Sequence, residues 1–256
     1  MKFLFNNNDV YKTRYFLYRY NDRNLRIVKL KNSRCSGFEE TTKKTNDFID
    51  VNSEESKRCS ISRTKRNIRE LALCNSFEYF CTFTVNSLMC DRYSLNDVQD
   101  KLKKVLHKIK RNNKEFAYLI ITEKHKDGAF HFHGLIKGIN DLYINDNNYL
   151  SNKIFDNELG FNSFSPIKDY TKCCNYITKY ITKDCIKNSH NQIYISSRGL
   201  KKADKQEFNN IDFKPSFEND FCEILDIDIE KLTQEEKIDL FYKLQKENEK
   251  KCRIIN

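Results

Sequence analysis

The chain has 256 residues, 39% of them hydrophobic and 32% charged, which fits a globular protein with one large domain or one domain with appendages. No apolar run approaches the roughly 20 residues of a membrane span, and the apolar start at Met1 turns polar at Asn6, too soon for a signal peptide. We therefore expect a cytoplasmic protein with no membrane-embedded part.

The net charge of +10 is unevenly distributed along the chain. Residues 203–256 carry 9 Lys/Arg and 14 Asp/Glu, whereas the remaining residues carry 37 Lys/Arg and 22 Asp/Glu. The basic body favours a polyanionic partner such as nucleic acid. The acidic segment either docks a partner or keeps the protein soluble, and we favour the second interpretation.

The ten cysteines show no Cys-x-x-Cys spacing, and the adjacent pair Cys173 and Cys174 are the only close neighbours. This pattern argues against a zinc site, and a reducing cytoplasm argues against disulfides. We interpret the cysteines as small apolar residues.

Residues 1–75 are predicted to form a basic N-terminal extension. Its aromatic and basic residues over 11–30 indicate one or two strands, and residues 31–57 are polar enough for a loop. A short basic helix is expected over 62–73, with cations that could follow a DNA backbone.

Residues 76–202 show the clearest periodicity. We predict strands over 77–85, 116–123, 130–137 and 192–196, a helix that follows Ser94, and a second helix over 168–184. This order predicts an α+β fold in which helices pack on one face of an antiparallel sheet. Residues 203–256 are predicted to be an acidic C-terminal tail, with a terminal helix that opens at a capping box beginning at Thr233.

Two histidines stand one residue apart in the strand predicted over 130–137. Alternate residues of a strand project from the same face, so His131 and His133 lie side by side while Phe132 points away. Two imidazoles placed in this way can chelate a divalent metal. The alternative is a pair of half-buried histidines with ordinary hydrogen-bond partners.

A tandem Tyr-x-x-Lys repeat lies about forty residues further on. In a helix, Tyr176 and Tyr180 share one face because they are four residues apart, and Lys179 and Lys183 have the same spacing. The alternative interpretation is an amphipathic helix with two core tyrosines and two solvated lysines.

Together and in this order, the two motifs resemble the HUH endonucleases, which are metal-dependent enzymes that nick single-stranded DNA through a tyrosine. The tyrosines follow the histidines, as in rolling-circle replication initiators, and the doubled tyrosine is most similar to the initiators of small single-stranded DNA phages and plasmids. The resemblance covers about residues 77–201. It includes residues 80–84, which are similar to the first family motif, and residues 196–200, which are similar to a segment that follows the tyrosine helix.

This resemblance implies a ferredoxin- or RRM-like sheet with helices packed on it. It also implies that Tyr176 and Tyr180 are nucleophiles that form a 5′-phosphotyrosine and release a free 3′-OH, with the role of Tyr180 less certain from the sequence. Lys179 and Lys183 are placed to stabilise the developing charge or to hold the phosphate.

His131 and His133 leave a divalent metal short of protein ligands. Glu123, at the end of the neighbouring strand, is the preferred third ligand, because HUH nucleases commonly take one from that strand, and His125 is its rival. Imidazole and carboxylate ligands with open positions favour Mg²⁺ or Mn²⁺.

The register of the hairpin decides whether Glu123 reaches the histidines. A three-residue turn over 126–128, with Gly128 free to adopt positive φ, pairs Glu123 with His131 and puts both on one face. A two-residue turn pairs Glu123 with Phe132 and directs it away.

The expected partners are single-stranded DNA at a replication origin, a host helicase and a polymerase. The helicase is expected from the host because the chain has six glycines and no Gly-x-x-x-x-Gly-Lys loop. Two other functions stay open: an HUH-type transposase, which usually has one tyrosine, and a non-catalytic nucleic-acid-binding module on an RRM-like sheet, which relies on exposed aromatic and basic residues.

Overall fold

The computed structural model describes residues 12–35, 54–181, 193–208, 211–219 and 222–254. Their elements, in chain order, are β1 (Lys12–Arg19), β2 (Asn24–Cys35), α1 (Glu54–Cys74), β3 (Tyr79–Val85), α2 (Leu95–Asn112), β4 (Ala117–Lys124), β5 (Phe130–Lys137), β6 (Leu142–Ile144), β7 (Leu150–Asn152), α3 (Lys153–Glu158), β8 (Gly160–Pro166), α4 (Tyr170–Tyr176), a 3₁₀ turn (Ile177–Tyr180), β9 (Tyr194–Ser196), β10 (Asp204–Phe208), β11 (Phe217–Glu218), β12 (Cys222–Asp228), a second 3₁₀ turn (Ile229–Lys231) and α5 (Gln234–Ile254). The antiparallel sheets and packed helices confirm the predicted α+β class. None of the helices in these ranges combines the length and the apolarity that a membrane span requires.

The chain divides into two compact units. Residues Met1–Ile49 and Lys202–Asn256 form one of them, which we call the terminal unit, and Asp50–Lys201 form the other, which we call the central unit. The terminal unit therefore combines the first part of the predicted N-terminal extension with the predicted acidic tail. The rest of that extension, including α1, belongs to the central unit.

The terminal unit contains a five-stranded sheet in the order β10-β1-β2-β12-β11, in which every neighbouring pair is antiparallel. Leu17, Ile27 and Ile227 are buried on one face of this sheet, and Leu240 and Leu244 of α5 pack against them. The strands β1 and β2 confirm the prediction for residues 11–30. The three strands β10 to β12 were not predicted, because the tail was expected to contain only a helix.

A ladder of ion pairs joins β2 to β12. Opposite each other in the register stand Arg26 and Asp226, whose side chains form two bonds of 2.7 and 2.8 Å. Lys29 lies 2.9 Å from Glu223 in the same way. Opposite charges across an antiparallel pair support its register, although each surface ion pair contributes little stability. The acidic residues of the tail thus neutralise basic residues near the start of the chain.

The central unit is built on a second five-stranded antiparallel sheet, in the order β8-β3-β5-β4-β9. One face packs against α2 and α3 in a core that includes Phe83, Phe132, Leu102 and Phe155. The helix α2 begins after Ser94, whose hydroxyl accepts a hydrogen bond from the backbone N–H of Asp97 as the sequence predicted.

Helices cover both faces of this sheet, whereas the sequence pattern predicted helices on one face only. The opposite face carries α1 and the first 3₁₀ turn, both of which contact β4. The reason is visible in β4, where residues 117–122 are all buried. A continuous apolar run of this kind is typical of a strand that is covered on both sides.

Gly134 lies at the centre of β5, next to His133, and has no room for a side chain. A Cβ atom there would lie 2.7 Å from Cγ1 of Ile120 and 2.9 Å from the carbonyl oxygen of Leu119. Because these contacts involve a packed core and a strand backbone, we expect Gly134→Ala to lower the free energy of unfolding by about 1–3 kcal/mol. Urea unfolding followed by circular dichroism measures this change.

The matched control for Gly134→Ala is Ser165→Ala, which places an alanine at an exposed strand position in β8. The control should unfold at the urea concentration of the wild type. Equal stability of the two variants would contradict the close packing of β4 against β5 at Gly134.

Candidate active site

The hairpin of β4 and β5 adopts the register that brings Glu123 to the histidine face. Glu123 pairs directly with His131. The backbone N–H of His125 donates to the carbonyl of Ala129 at 2.8 Å, which leaves a three-residue turn. Gly128 takes φ +91° in this turn, a conformation that glycine adopts without strain. Of the two registers that the sequence left open, the structure shows the one with an odd number of turn residues.

Two threonines of β3 orient the two imidazoles. The strand β3 pairs with β5 so that Thr82 stands opposite His133 and Thr84 opposite His131. The hydroxyl oxygens lie 3.2 Å from Nδ1 of His133 and 3.0 Å from Nδ1 of His131. Both rings therefore leave Nε2 for other partners. The sequence identified these threonines only as part of a strand motif, because it does not reveal that β3 lies beside β5.

The Nε2 atom of His133 lies 2.9 Å from Oε2 of Glu123. Burial lowers the pKa of His133, and the carboxylate of Glu123 opposes this effect. Burial, followed by the proximity of His125, also lowers the pKa of His131. The ring of His125 lies 4.7 Å from that of His131 between centroids. Low pKa values favour neutral imidazoles, which is the form that binds metals.

The predicted metal ligands are brought to one face, but only two of them touch. Within the described ranges, no group of three His, Cys, Asp or Glu side chains converges closely enough to hold a metal ion. The donor types nonetheless suit a divalent cation, since they are imidazole nitrogens and a carboxylate oxygen. A polar partner at the second nitrogen, such as Thr82 or Thr84 provides, is the usual support of a metal-bound histidine.

The two tyrosines lie directly over this cluster. The predicted helix over 168–184 is observed as α4 followed by the tighter 3₁₀ turn, and residues from Thr182 to 192 lie outside the described part of the chain. The ring of Tyr180 stacks on His133 with 3.9 Å between centroids and 15° between planes. Its hydroxyl donates to the hydroxyl of Tyr176 at 3.0 Å.

The two phenols differ in environment. Burial is the main cause that raises the pKa of Tyr180, and its hydrogen bond to Tyr176 adds to this effect. Tyr176 is 44% exposed, so a substrate can approach its hydroxyl from solvent. The two tyrosines share a face, as their spacing predicted, but they are not equally accessible.

Of the two predicted lysines, Lys179 lies with its Nζ atom 4.8 Å from the centre of the Tyr176 ring. The second, Lys183, falls outside the described residues.

Phe80 is an element of the site to which sequence reasoning assigned no role. Its ring lies 6.1 Å from that of His133, 5.8 Å from that of Tyr176 and 6.3 Å from that of Tyr180. It projects from β3 on the same face as Thr82, because the two are separated by one residue. This alternation of Phe80 with the two threonines was the available signal, but its meaning depended on the order of the strands.

The helix α4 is fixed to the remainder of the central unit at both ends. At its start, Asp169 accepts a hydrogen bond from the backbone N–H of Lys172 at 3.0 Å. Near its end, Asn175 accepts a hydrogen bond of 2.7 Å from Nε of Arg69 in α1. These contacts hold the tyrosines above the sheet.

Comparison with protein families gives one match to part of the chain. Residues 78–185 match the family model of the replication-associated protein ORF2. The matched segment spans fewer than half of the residues and includes the hairpin, the threonine strand and both tyrosines. Comparison with curated proteins and with solved structures gives no match. The family match is consistent with a rolling-circle initiator of small single-stranded DNA replicons and confirms the resemblance.

Proposed function

We propose that this chain, whose residues 78–185 match the replication-associated protein family, starts rolling-circle replication by nicking and rejoining single-stranded DNA through a tyrosine. The family match supports the initiation of rolling-circle replication. The nicking reaction, its tyrosine nucleophile and its metal are our proposal.

The observation that carries the proposal is the position of the tyrosine pair. Tyr180 stacks on His133, and the hydroxyl of Tyr176 is bonded to that of Tyr180. A phosphate that reaches these hydroxyls therefore comes close to the Glu123–His133 pair. An amphipathic helix with two core tyrosines would not require one of them to be 44% exposed beside a polar cluster.

The proposed reaction exchanges one phosphoester for another. The phenol oxygen of a tyrosine bonds to the phosphorus, and the bond from phosphorus to the 3′ oxygen of the preceding nucleotide breaks. The tyrosine loses its proton, and the 3′ oxygen gains one. Because the 5′-phosphotyrosine is again a phosphodiester, the reverse attack by a 3′-OH rejoins the strand.

Tyr176 is the better candidate for the first attack. It is the more exposed phenol, whereas burial and the hydrogen bond to Tyr176 raise the pKa of Tyr180 and so disfavour its reactive anion. Lys179 beside the ring of Tyr176 is placed to attract the phosphate. We assign the second transfer to Tyr180, and we propose for Lys183 the role that its spacing predicts.

The proposal includes a divalent cation, Mg²⁺ or Mn²⁺, held by His131, His133 and Glu123. When bound, such a cation polarises the scissile phosphate and offsets the charge that develops on it. The residues of the chain supply the remaining functions. Thr82 and Thr84 orient the imidazoles through Nδ1.

The proposed partners follow from this reaction. The substrate is single-stranded DNA at a replication origin, and separation of the duplex and synthesis of the new strand are assigned to a host helicase and a polymerase. The sequence provides no phosphate-binding loop of its own for a helicase.

The test is covalent capture of DNA. The purified chain is mixed with single-stranded oligonucleotides that cover the origin, labelled at either end, in Mg²⁺ or in EDTA. We expect a protein–DNA adduct in a denaturing gel that keeps only the 3′ label and that forms only with the metal. An adduct that carries the 5′ label, or the absence of any adduct in Mg²⁺ and Mn²⁺, would contradict the proposal.

A further inference from the structure

An open groove lies beside the tyrosine pair. It has a volume of about 520 Å³ and is lined by Phe80, Lys172, Cys173, Asn175, Tyr176 and Lys179. Ligand pockets typically have volumes of about 300–1,000 Å³, so a groove of this size can accept a nucleotide-sized group. One of its walls is the proposed first nucleophile.

The inner surface of the groove is aromatic and apolar. Phe80 and Tyr176 meet with their ring centres 5.8 Å apart and their planes at 66°, so they form an angled wall. The thiol of Cys173 also lines the groove, and burial raises its pKa, which keeps it neutral. A flat ring can stack on such a wall without any particular pattern of hydrogen bonds.

The rim of the groove is cationic. Lys172 and Lys179 are both exposed there. Lys172 has one ion pair, 3.2 Å from Asp169 on the same helix, and this pair is exposed to solvent. The oxygen of the Asn175 side chain accepts from Arg69, so its NH₂ group is the part left for a ligand. Aromatic walls under a basic rim match the two parts of a nucleotide, a base and a phosphate.

We propose that this groove binds one base of single-stranded DNA next to the phosphate that Tyr176 attacks, with Phe80 as the stacking surface and Lys172 as a phosphate contact. This inference rests on the proposed function, because it takes the substrate of the site to be single-stranded DNA. It adds a binding subsite that fixes the strand before the reaction. Phe80 and Lys172 are binding residues in this scheme and take no part in the bond exchange.

Binding in EDTA tests the groove without the reaction. The affinity of the full chain is measured by fluorescence anisotropy for an oligothymidylate of about 20 nucleotides and for an abasic strand of the same length. We expect the wild type to bind the strand with bases more tightly. Phe80→Leu should weaken that binding about tenfold and leave the abasic strand unaffected, since stacking of one base is worth this much.

Lys172→Ala separates the phosphate contact from the stacking. It should weaken the binding of both strands by the same factor and reduce the dependence of affinity on salt by about one counterion. The matched control is Lys104→Ala, which removes an exposed lysine of α2 beneath the other face of the sheet and should leave both affinities unchanged.

A second measurement does not rely on a variant. Photo-crosslinking of a strand that contains 5-iododeoxyuridine should attach it to Phe80 or Tyr176, as mapped by mass spectrometry. Crosslinks only outside the groove would overturn the proposal, as would a Phe80→Leu variant that keeps the preference for bases. Tighter binding of oligouridylate than of oligothymidylate by the wild type would overturn the assignment to DNA.

The two proposals fail in different ways. Loss of the adduct in Mg²⁺ with base preference retained in EDTA would refute the nicking reaction and leave the groove in place. An adduct that forms while Phe80→Leu binds both strands as the wild type does would refute the groove alone.

Discussion

Replacing Tyr176 and Tyr180 together with phenylalanine is expected to abolish the covalent attachment of the chain to single-stranded DNA. The double variant loses both phenol oxygens that lie over the His133–Glu123 pair, and no other side chain is placed to take their role in the described part of the site. Loss of a nucleophile typically lowers a rate by a factor on the order of 10⁶, which puts the adduct below detection. A denaturing gel with labelled origin DNA measures it.

The single variants distinguish the two tyrosines. Tyr176→Phe should strongly slow the formation of the first adduct, because the remaining phenol of Tyr180 is half-buried and has a raised pKa. Tyr180→Phe should still form the first adduct but should not carry out a second transfer from it. Peptide mapping of the adduct identifies the tyrosine that bears the DNA, which we expect to be Tyr176 in the wild type.

Tyr149→Phe is the matched control for these variants. Tyr149 is 49% exposed and lies against Phe161, outside the tyrosine pair, so its hydroxyl should not affect the reaction. Full adduct formation by the double variant would refute a tyrosine nucleophile at this site. A first adduct mapped to Tyr180 would reverse the proposed order.

Glu123→Gln is expected to reduce the metal-dependent adduct by about 100-fold or more, because loss of a supporting contact to a metal ligand alone costs 10- to 100-fold. The amide keeps the shape of the side chain and a contact to His133, so the fold should remain intact. Titration with Mn²⁺ followed by electron paramagnetic resonance measures the metal affinity directly. The variant should bind Mn²⁺ more weakly than the wild type.

Two further variants define what Glu123→Gln means. Glu158→Gln makes the same change at a carboxylate that pairs with Lys108 of α2, away from the histidines, and should bind Mn²⁺ as the wild type does. His125→Ala tests the rival ligand. If His125→Ala loses Mn²⁺ while Glu123→Gln retains it, the third ligand is His125 and our assignment of Glu123 is wrong.

The histidine strand, the hairpin and the tyrosine segment could be predicted because their signals are local. Alternation places His131 and His133 on one face, and the spacing of Tyr176 and Tyr180 brings their rings together. The turn was less determined, since Asp127-Gly128 is compatible with two registers. The structure has the three-residue turn, in which Asp127 also accepts a hydrogen bond from Arg92 at 2.7 Å. Arg92 is far from the hairpin in sequence, so no local pattern contains this contact.

The contributions of β3 and of the tail could not be predicted because they depend on which strands become neighbours. Thr82 and Phe80 gain their meaning only beside β5, and a strand pattern does not specify its partner. The negative charge of the tail was visible in the composition. Its pairing with β2 was not visible, because the cross-strand match of Arg26 with Asp226 joins residues that are 200 positions apart.

That distance has a consequence for the order in which the protein is made. The ribosome completes β2 long before it reaches β12, and in this interval one side of β2 has no strand to bond with. The strands of the central sheet all lie between Asp50 and Lys201, so that unit has its whole chain available earlier. Long-range pairing also carries the larger entropic cost of closure. The nascent chain therefore assembles its central unit first and closes its terminal sheet last, when the acidic strand emerges to meet the basic one.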